Sequence, residues 1–409
     1  MNKKPGIIFA SVCLIFSLAA AVYMIFPKLE KCEPEKDPDL DGERIEVSDS
    51  NFNQMNQKPE ILQIKDPLAS DLDNVFTKHK AINVSLAIIE DGYVTGHYEY
   101  GYKTLKTKAP MTKNTKMRIA SLSKIVTTMT AMTLYDRGEL DLDRDIGDYF
   151  GFRIRGYQGH IPITTKMLMS HTSSLADDKD LERGEALKTV IRKSKSEVPP
   201  YVFRYANINI GLVGAEVEMI TEKHFQDYAQ EALFAPMGLD CGYDAANIKD
   251  TSDFANLYHR SGALALSADE QVKPRRRRKI GEGYLGPFGN LMCSSTELAE
   301  VVTVLINNGK YEGREILSED AVKQMETPVA DVGLGFQSCL GLRKNEIFDR
   351  EIYYHNGCAY GVCSLLAYDK QSRSGVVIIT SGTAISQNNG IYTACYDAAE
   401  RVFSEFGVK

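Results

Sequence analysis

The 409-residue sequence lacks the basic excess that nucleic-acid binding usually leaves. Its 48 Lys and Arg are outnumbered by 55 Asp and Glu, for a net charge of −7, so no nucleic-acid partner is expected. It has no internal repeat, which argues against solenoid and propeller architectures. It also has no regular cysteine framework. Cys13, Cys32, Cys241, Cys293, Cys339, Cys358, Cys363 and Cys395 are irregularly spaced along a long chain, unlike a small disulfide scaffold. Free buried thiols are the simpler expectation, and a defined set of bridges in an exported chain is the alternative. His355, Cys358 and Cys363 form an H-x2-C-x4-C pattern, but it lies around a strand end with no fourth ligand nearby. Neither a metal nor a cofactor is expected.

What is present is an ordinary globular composition, 43% hydrophobic and 25% charged, behind an unusual N-terminus. Lys3 and Lys4 precede an uncharged run from Gly6 to Phe26, closed by Pro27 and Lys28. As a helix this run is roughly 30 Å long and matches a bilayer core. An uncleaved anchor over residues 1–27 is expected, with the basic side inside and the body of the protein outside the membrane. The alternative is a signal peptide cleaved near Ala19-Ala20-Ala21. Residues 28–65 are polar and acid-rich and read as a tether, leaving 66–409 as the folded domain.

Within that domain, Leu68, Leu72, Val75 and Phe76 fall at helical spacing. Two strand-like runs follow, Ile82–Glu90 and Val94–Tyr102, joined by the hairpin signal Asp91-Gly92. From about Ser121 to Leu305 helical patterns and irregular loops dominate. Strands return at Glu351–Asn356, Ser364–Tyr368 and Gly375–Thr380, before a last helix with Tyr392, Cys395, Ala399, Val402, Phe403 and Phe406 on one face. This order predicts an α+β fold: an antiparallel sheet from both chain ends, flanked by helices, with a large helical lobe inserted. A cleft between the lobes would be the natural binding site.

Three short patterns carry chemistry. In Ser121-Leu122-Ser123-Lys124 the two outer residues share one face of a helix start. A serine hydroxyl needs a neighbour to take its proton, and lysine can do so when its environment disfavours the ammonium. Chance supplies such a two-position pattern about once in a chain of this length, so alone it also fits a solvated Ser and Lys. Tyr205-Ala206-Asn207 offers a phenol able to relay a proton and an amide able to orient a lysine or a carbonyl, or merely a core tyrosine and a helix cap. His355-Asn356-Gly357 closes a strand-like run. It is either a plain turn or an edge whose backbone N–H faces a developing oxyanion, with Gly357 permitting close approach.

In this order the three patterns resemble the motif set S-x-x-K, Y-x-N and K-T-G or H-x-G of the serine penicillin-recognising family. That family includes class C β-lactamases, D-alanyl-D-alanine carboxypeptidases, and related esterases and peptidases. Flanking stretches are similar too: Leu168–Leu175, Phe203–Asn207 leading into Gly211–Glu216, Leu291–Ala299, and Asn307–Tyr311. The resemblance covers roughly residues 68–405 and implies a β-lactamase/transpeptidase-like fold. It implies Ser121 as the acylated nucleophile and Lys124 with Tyr205 as its base. It implies Asn207 as a holder of Lys124 or of a substrate amide, and His355, Asn356, Gly357 and Cys358 as substrate contacts. The N–H groups of Ser121 and Cys358 would form the oxyanion hole. The implied substrate is a small molecule or a peptidoglycan-type amide or ester. A non-catalytic penicillin-binding or sensing module and an esterase or acyltransferase are the rivals.

Two departures qualify this. His355 replaces the third-motif lysine and weakens a fixed positive charge, leaving the substrate open. Ser174 stands where glycine is common. No catalytic role attaches to His171. The basic run Lys273–Lys279 reads as a solvated loop, or as a contact for an anionic envelope polymer at Arg275–Arg278.

Overall fold

The computed structural model describes residues 58–406, apart from positions 155, 196, 197 and 334. The expected anchor, Cys13, Cys32 and most of the tether lie outside the described residues. Among the described residues no helix is long and apolar enough to cross a membrane.

The sheet is built from both ends of the chain. From the first part come β1 (Leu62–Gln63), helix α1 (Leu68–Lys78), β2 (Asn83–Glu90) and β3 (Tyr93–Thr104). The middle supplies α2 (Ser123–Asp136), α3 (Asn207–Thr221) and α4 (Ser295–Ile306). The last part supplies β4 (Arg343–Ile347), β5 (Arg350–Ala359), β6 (Val362–Asp369), β7 (Ser374–Ser381) and α5 (Thr393–Glu405). The strand order is β1-β3-β2-β7-β6-β5-β4, continued by two short strands at 337–338 and 330–331. The seam between the two chain ends is the antiparallel pair β2–β7, with Leu86 opposite Ile378.

Local chemistry explains these elements. Asp91 (φ 49°) and Gly92 (φ 82°) both adopt the left-handed backbone that a two-residue hairpin requires. Leu68, Leu72, Val75 and Phe76 form the buried stripe of α1. All eight residues of β7 are buried, as expected for an interior strand covered on both faces. One face packs with α1 and α5 in a core containing Phe76, Leu365 and Phe403. The other packs with α4 and the helical middle around Met129, Leu212 and Val302.

The observed elements depart from expectation in two places. The tether ends sooner, because Leu62 and Gln63 pair in parallel with Gly96 and His97, and Lys58 forms an ion pair with Glu300 at 2.7 Å. Strand β4 was not foreseen. The middle also holds small two-stranded pairings, such as Met117–Arg118 with Met292–Cys293.

Candidate active site

Ser121 lies in a single 3₁₀ turn, Ala120–Leu122, that runs directly into α2. Ala120 before it has φ 53°, a left-handed conformation that an L-residue adopts only at a cost. The turn is pinned from both sides: Ser123 Oγ donates to Ala120 O at 2.7 Å, and Ser364 Oγ donates to Ile119 O at 2.9 Å. Ser121 is thus carried by backbone held in place from the helix and from the sheet.

Lys124 is fully buried, with 0% of its surface exposed, in the first turn of α2 and three residues on from Ser121. Its Nζ reaches Ser121 Oγ at 2.9 Å and the Phe288 carbonyl oxygen at 2.7 Å. Tyr205 approaches the same serine from the loop before α3, with its hydroxyl 2.9 Å from Oγ. Ser121 therefore has two proton-exchanging groups within direct hydrogen-bond range, the geometry that activation requires. The Lys124 ammonium position also lies 5.1 Å from the centre of the Tyr205 ring.

His171 has a part that the sequence did not suggest. Its ring packs on the Tyr205 ring at 4.5 Å between centroids, and its Nδ1 faces the Ala206 N–H at 3.3 Å and Asn209 Nδ2 at 3.2 Å. Burial, and then the positive charges of Lys124 and Arg343, push its pKa well below the ordinary value. His171 is thus held neutral against the Tyr205 ring. Nearby, Ser174 keeps the left-handed φ of 70° that glycine would favour, so the loop survives the substitution.

The third motif lies on β5. Strand β4 ends its pairing with β5 at Arg343 opposite Tyr354, so the segment from His355 to Ala359 has an open edge on that side. Tyr360 (φ 51°) and Gly361 (φ 78°) form the two-residue turn to β6. Ala359 and Val362 close this hairpin as a hydrogen-bonded pair, so by alternation Cys358 and Cys363 form a non-hydrogen-bonded pair. The Cys358 N–H consequently points to the open edge. Ser121 stands at that edge, because a Cβ on Gly357 would lie 2.9 Å from Ser121 N and 2.5 Å from Ser364 Oγ. The two N–H groups expected to form the oxyanion hole are therefore neighbours. Gly357→Ala should wedge the strand from the turn and slow acylation of Ser121 about tenfold or more, read by labelling kinetics with a fluorophosphonate.

Several expected roles change. Asn207 does not hold Lys124: its N–H and side-chain Nδ2 both donate to Asp177 Oδ2 at 2.9 Å, and Phe288 O takes that role. The Asn356 side chain turns to the opposite face of the sheet and bonds the Gly390 carbonyl. It reaches the site only through its backbone. His355 is 3% exposed, and its Nδ1 bonds Asn356 O at 2.7 Å. Burial, then Arg343 and Lys124, lower its pKa well below the usual value, so it brings no positive charge at neutral pH. The charge that the sequence failed to locate is Arg343. Its guanidinium lies 4.7 Å from the Phe336 ring centre and 6.0 Å from that of Tyr205, and no acidic side chain pairs with it among the described residues. Away from the site, the basic run is partly engaged within the fold. Arg277 forms a two-pronged pair with Asp227, and Arg278 bonds the Gly184 and Glu185 carbonyls.

A serine held between a buried lysine and a tyrosine, facing an open strand edge, defines a serine acyl-transfer site on an α+β scaffold. The chain belongs to the Beta-lactamase family, whose model matches residues 64–390, and the family is one of serine hydrolases. Among curated relatives, "Penicillin-binding protein 4" of Amycolatopsis lactamdurans is 24% identical over 63% of this chain and 68% of its own length. "Protein flp" of Staphylococcus aureus is 20% identical over 73% of this chain and 59% of its own length. The crystal structure of a "Beta-Lactamase/D-Alanine Carboxypeptidase" from Pseudomonas syringae matches with a TM-score of 0.67 at 19% identity. It covers 84% of this chain and 99% of that one, and shares the fold.

Proposed function

We propose that the chain hydrolyses an amide or ester of the cell envelope through an acyl-enzyme on Ser121. The observation that carries this reading is the pair of 2.9 Å contacts from Lys124 Nζ and Tyr205 OH to Ser121 Oγ. Ser121 Oγ attacks the carbonyl carbon while the Lys124–Tyr205 pair takes its proton. The N–H groups of Ser121 and Cys358 stabilise the oxyanion, the leaving group receives the proton, and water cleaves the acyl-enzyme. Arg343 takes the place of the missing third-motif cation, which favours substrates with a carboxylate on the leaving side, such as peptides ending in D-alanine. The basic segment before the apolar run 6–26 supports a membrane-anchored body outside the cytoplasm.

Intact mass after incubation with a penicillin, a D-alanyl peptide and a D-alanyl ester tests the reaction. A transient acyl adduct is expected on the wild type and none on Ser121→Ala. An adduct that never leaves would favour the sensing module, and no adduct with any donor would sink the hydrolase. Arg343→Gln should raise KM about tenfold for donors with a free carboxylate and leave neutral esters unchanged. Equal effects on both classes would remove Arg343 from recognition.

A further inference from the structure

Beside the oxyanion strand lies a pair of thiols that the hydrolytic mechanism does not use. Cys358 and Cys363 are direct cross-strand partners on β5 and β6. A non-hydrogen-bonded antiparallel pair brings Cα atoms to about 4.5 Å, inside the roughly 4.4–6.8 Å that a disulfide spans. Both side chains leave the sheet on the face opposite Gly357 and Ser121. Both thiols are free. Cys358 is half-buried and lines a cavity of about 640 Å³ with Arg260, Thr383, Ala384, Ile385 and Ser386. Cys363 is buried directly behind it, and its Sγ faces the Ala384 carbonyl at 3.8 Å. Cys395 is not an equivalent partner, because its Sγ faces the Cys363 backbone oxygen at 3.7 Å.

We propose that Cys358 and Cys363 are a disulfide-forming site, oxidised by small anionic disulfides that enter the cavity at Arg260, and that this bond slows the acylation of Ser121. The Cys358 thiolate attacks one sulfur of the small disulfide and expels its partner thiolate, giving a mixed disulfide. Cys363, giving its proton to solvent, attacks the Cys358 sulfur and expels the second thiolate. Two protein thiols are oxidised, and the small disulfide is reduced to two thiols. The adjoining Cys363 thiol favours the thiolate of Cys358 and holds its pKa below the ordinary thiol value. The same proximity, with burial, raises that of Cys363. Attack therefore starts at the accessible sulfur. A disulfide prefers Cα atoms about 5.5–6 Å apart, wider than the pair's spacing of about 4.5 Å, so closing the bond pushes Cys358 away from β6 and displaces its N–H at the open edge beside Ser121. This coupling rests on the acyl-enzyme reading above, whereas the disulfide does not.

The test incubates the reduced protein with glutathione disulfide and reads intact mass and linked peptides. The wild type should lose two hydrogens and yield a peptide joining positions 358 and 363. Cys363→Ser should stop at a lasting glutathione adduct on Cys358, Cys358→Ser should give neither product, and Cys395→Ser should behave as wild type. Fluorophosphonate labelling of Ser121 should slow about threefold or more in the oxidised form and recover with dithiothreitol. An unchanged mass, or a bond that survives Cys358→Ser, would overturn the site, and an unchanged labelling rate would overturn the coupling. Absence of labelling in both forms would count against the hydrolase reading and the coupling, while the mass still decides the disulfide.

Discussion

Replacing Lys124 by methionine should lower the acylation rate of Ser121 by about 1,000- to 10,000-fold, with the fold intact. Methionine keeps an unbranched chain in a fully buried slot, so the packing around α2 is largely preserved and the lost group is the amine. That amine contacts Ser121 Oγ at 2.9 Å and is itself anchored by Phe288 O. Tyr205→Phe removes the second 2.9 Å contact and should cost about 100-fold. Because the two groups serve one proton, the double variant should be little worse than Lys124→Met alone. Labelling kinetics with a fluorescent penicillin, alongside thermal melts, check all three proteins. Wild-type labelling by Lys124→Met would remove lysine from the mechanism. Strictly additive losses would mean that the two side chains act on different steps.

The parts of this site that were legible in sequence are those where residue type itself carries the constraint. Asp91-Gly92 announces its hairpin because both positions need φ above zero. The α1 stripe announces its helix through spacing, and Ser121, Tyr205 and His355 announce a reaction through their order. Other parts carry no such mark. Lys124 is held by a backbone carbonyl at Phe288, 164 residues away, and any residue would present the same oxygen. The grip of Asp177 on Asn207 spans 30 residues and depends on how a loop returns to the start of α3. Strand β4 reads Arg-Lys-Asn-Glu-Ile, without the alternation of a half-buried strand, and its identity comes from pairing with β5. Arg343 became visible as the site's cation only with that pairing. His171 meets the site through ring contact with Tyr205, which no spacing along the chain encodes.

Glu216→Gln should remove a pH-dependent loss of stability worth about 3 kcal/mol between pH 4.5 and 7. Glu216 lies on α3, fully buried, with Oε1 accepting from Thr165 Oγ1 at 3.0 Å. Burial raises its pKa from 4.5 to about 8, and the Thr165 hydrogen bond opposes this only in part. Below pH 4.5 the carboxyl is protonated in both folded and unfolded chains and no proton-linked penalty exists. Between 4.5 and about 8 the unfolded chain ionises while the folded one retains its proton. The folded state then binds more protons, and stability falls as pH rises through this window. Glutamine has nearly the same shape and cannot ionise, so the variant should match or trail the wild type at pH 4 and overtake it above neutrality. Urea unfolding at pH 4, 6 and 8 on both proteins reads the difference directly. Parallel curves at all three values would mean that Glu216 ionises alike in both states, with water or another partner reaching its second oxygen. The helix whose stability this tests begins two residues after Tyr205, the side chain that contacts Ser121.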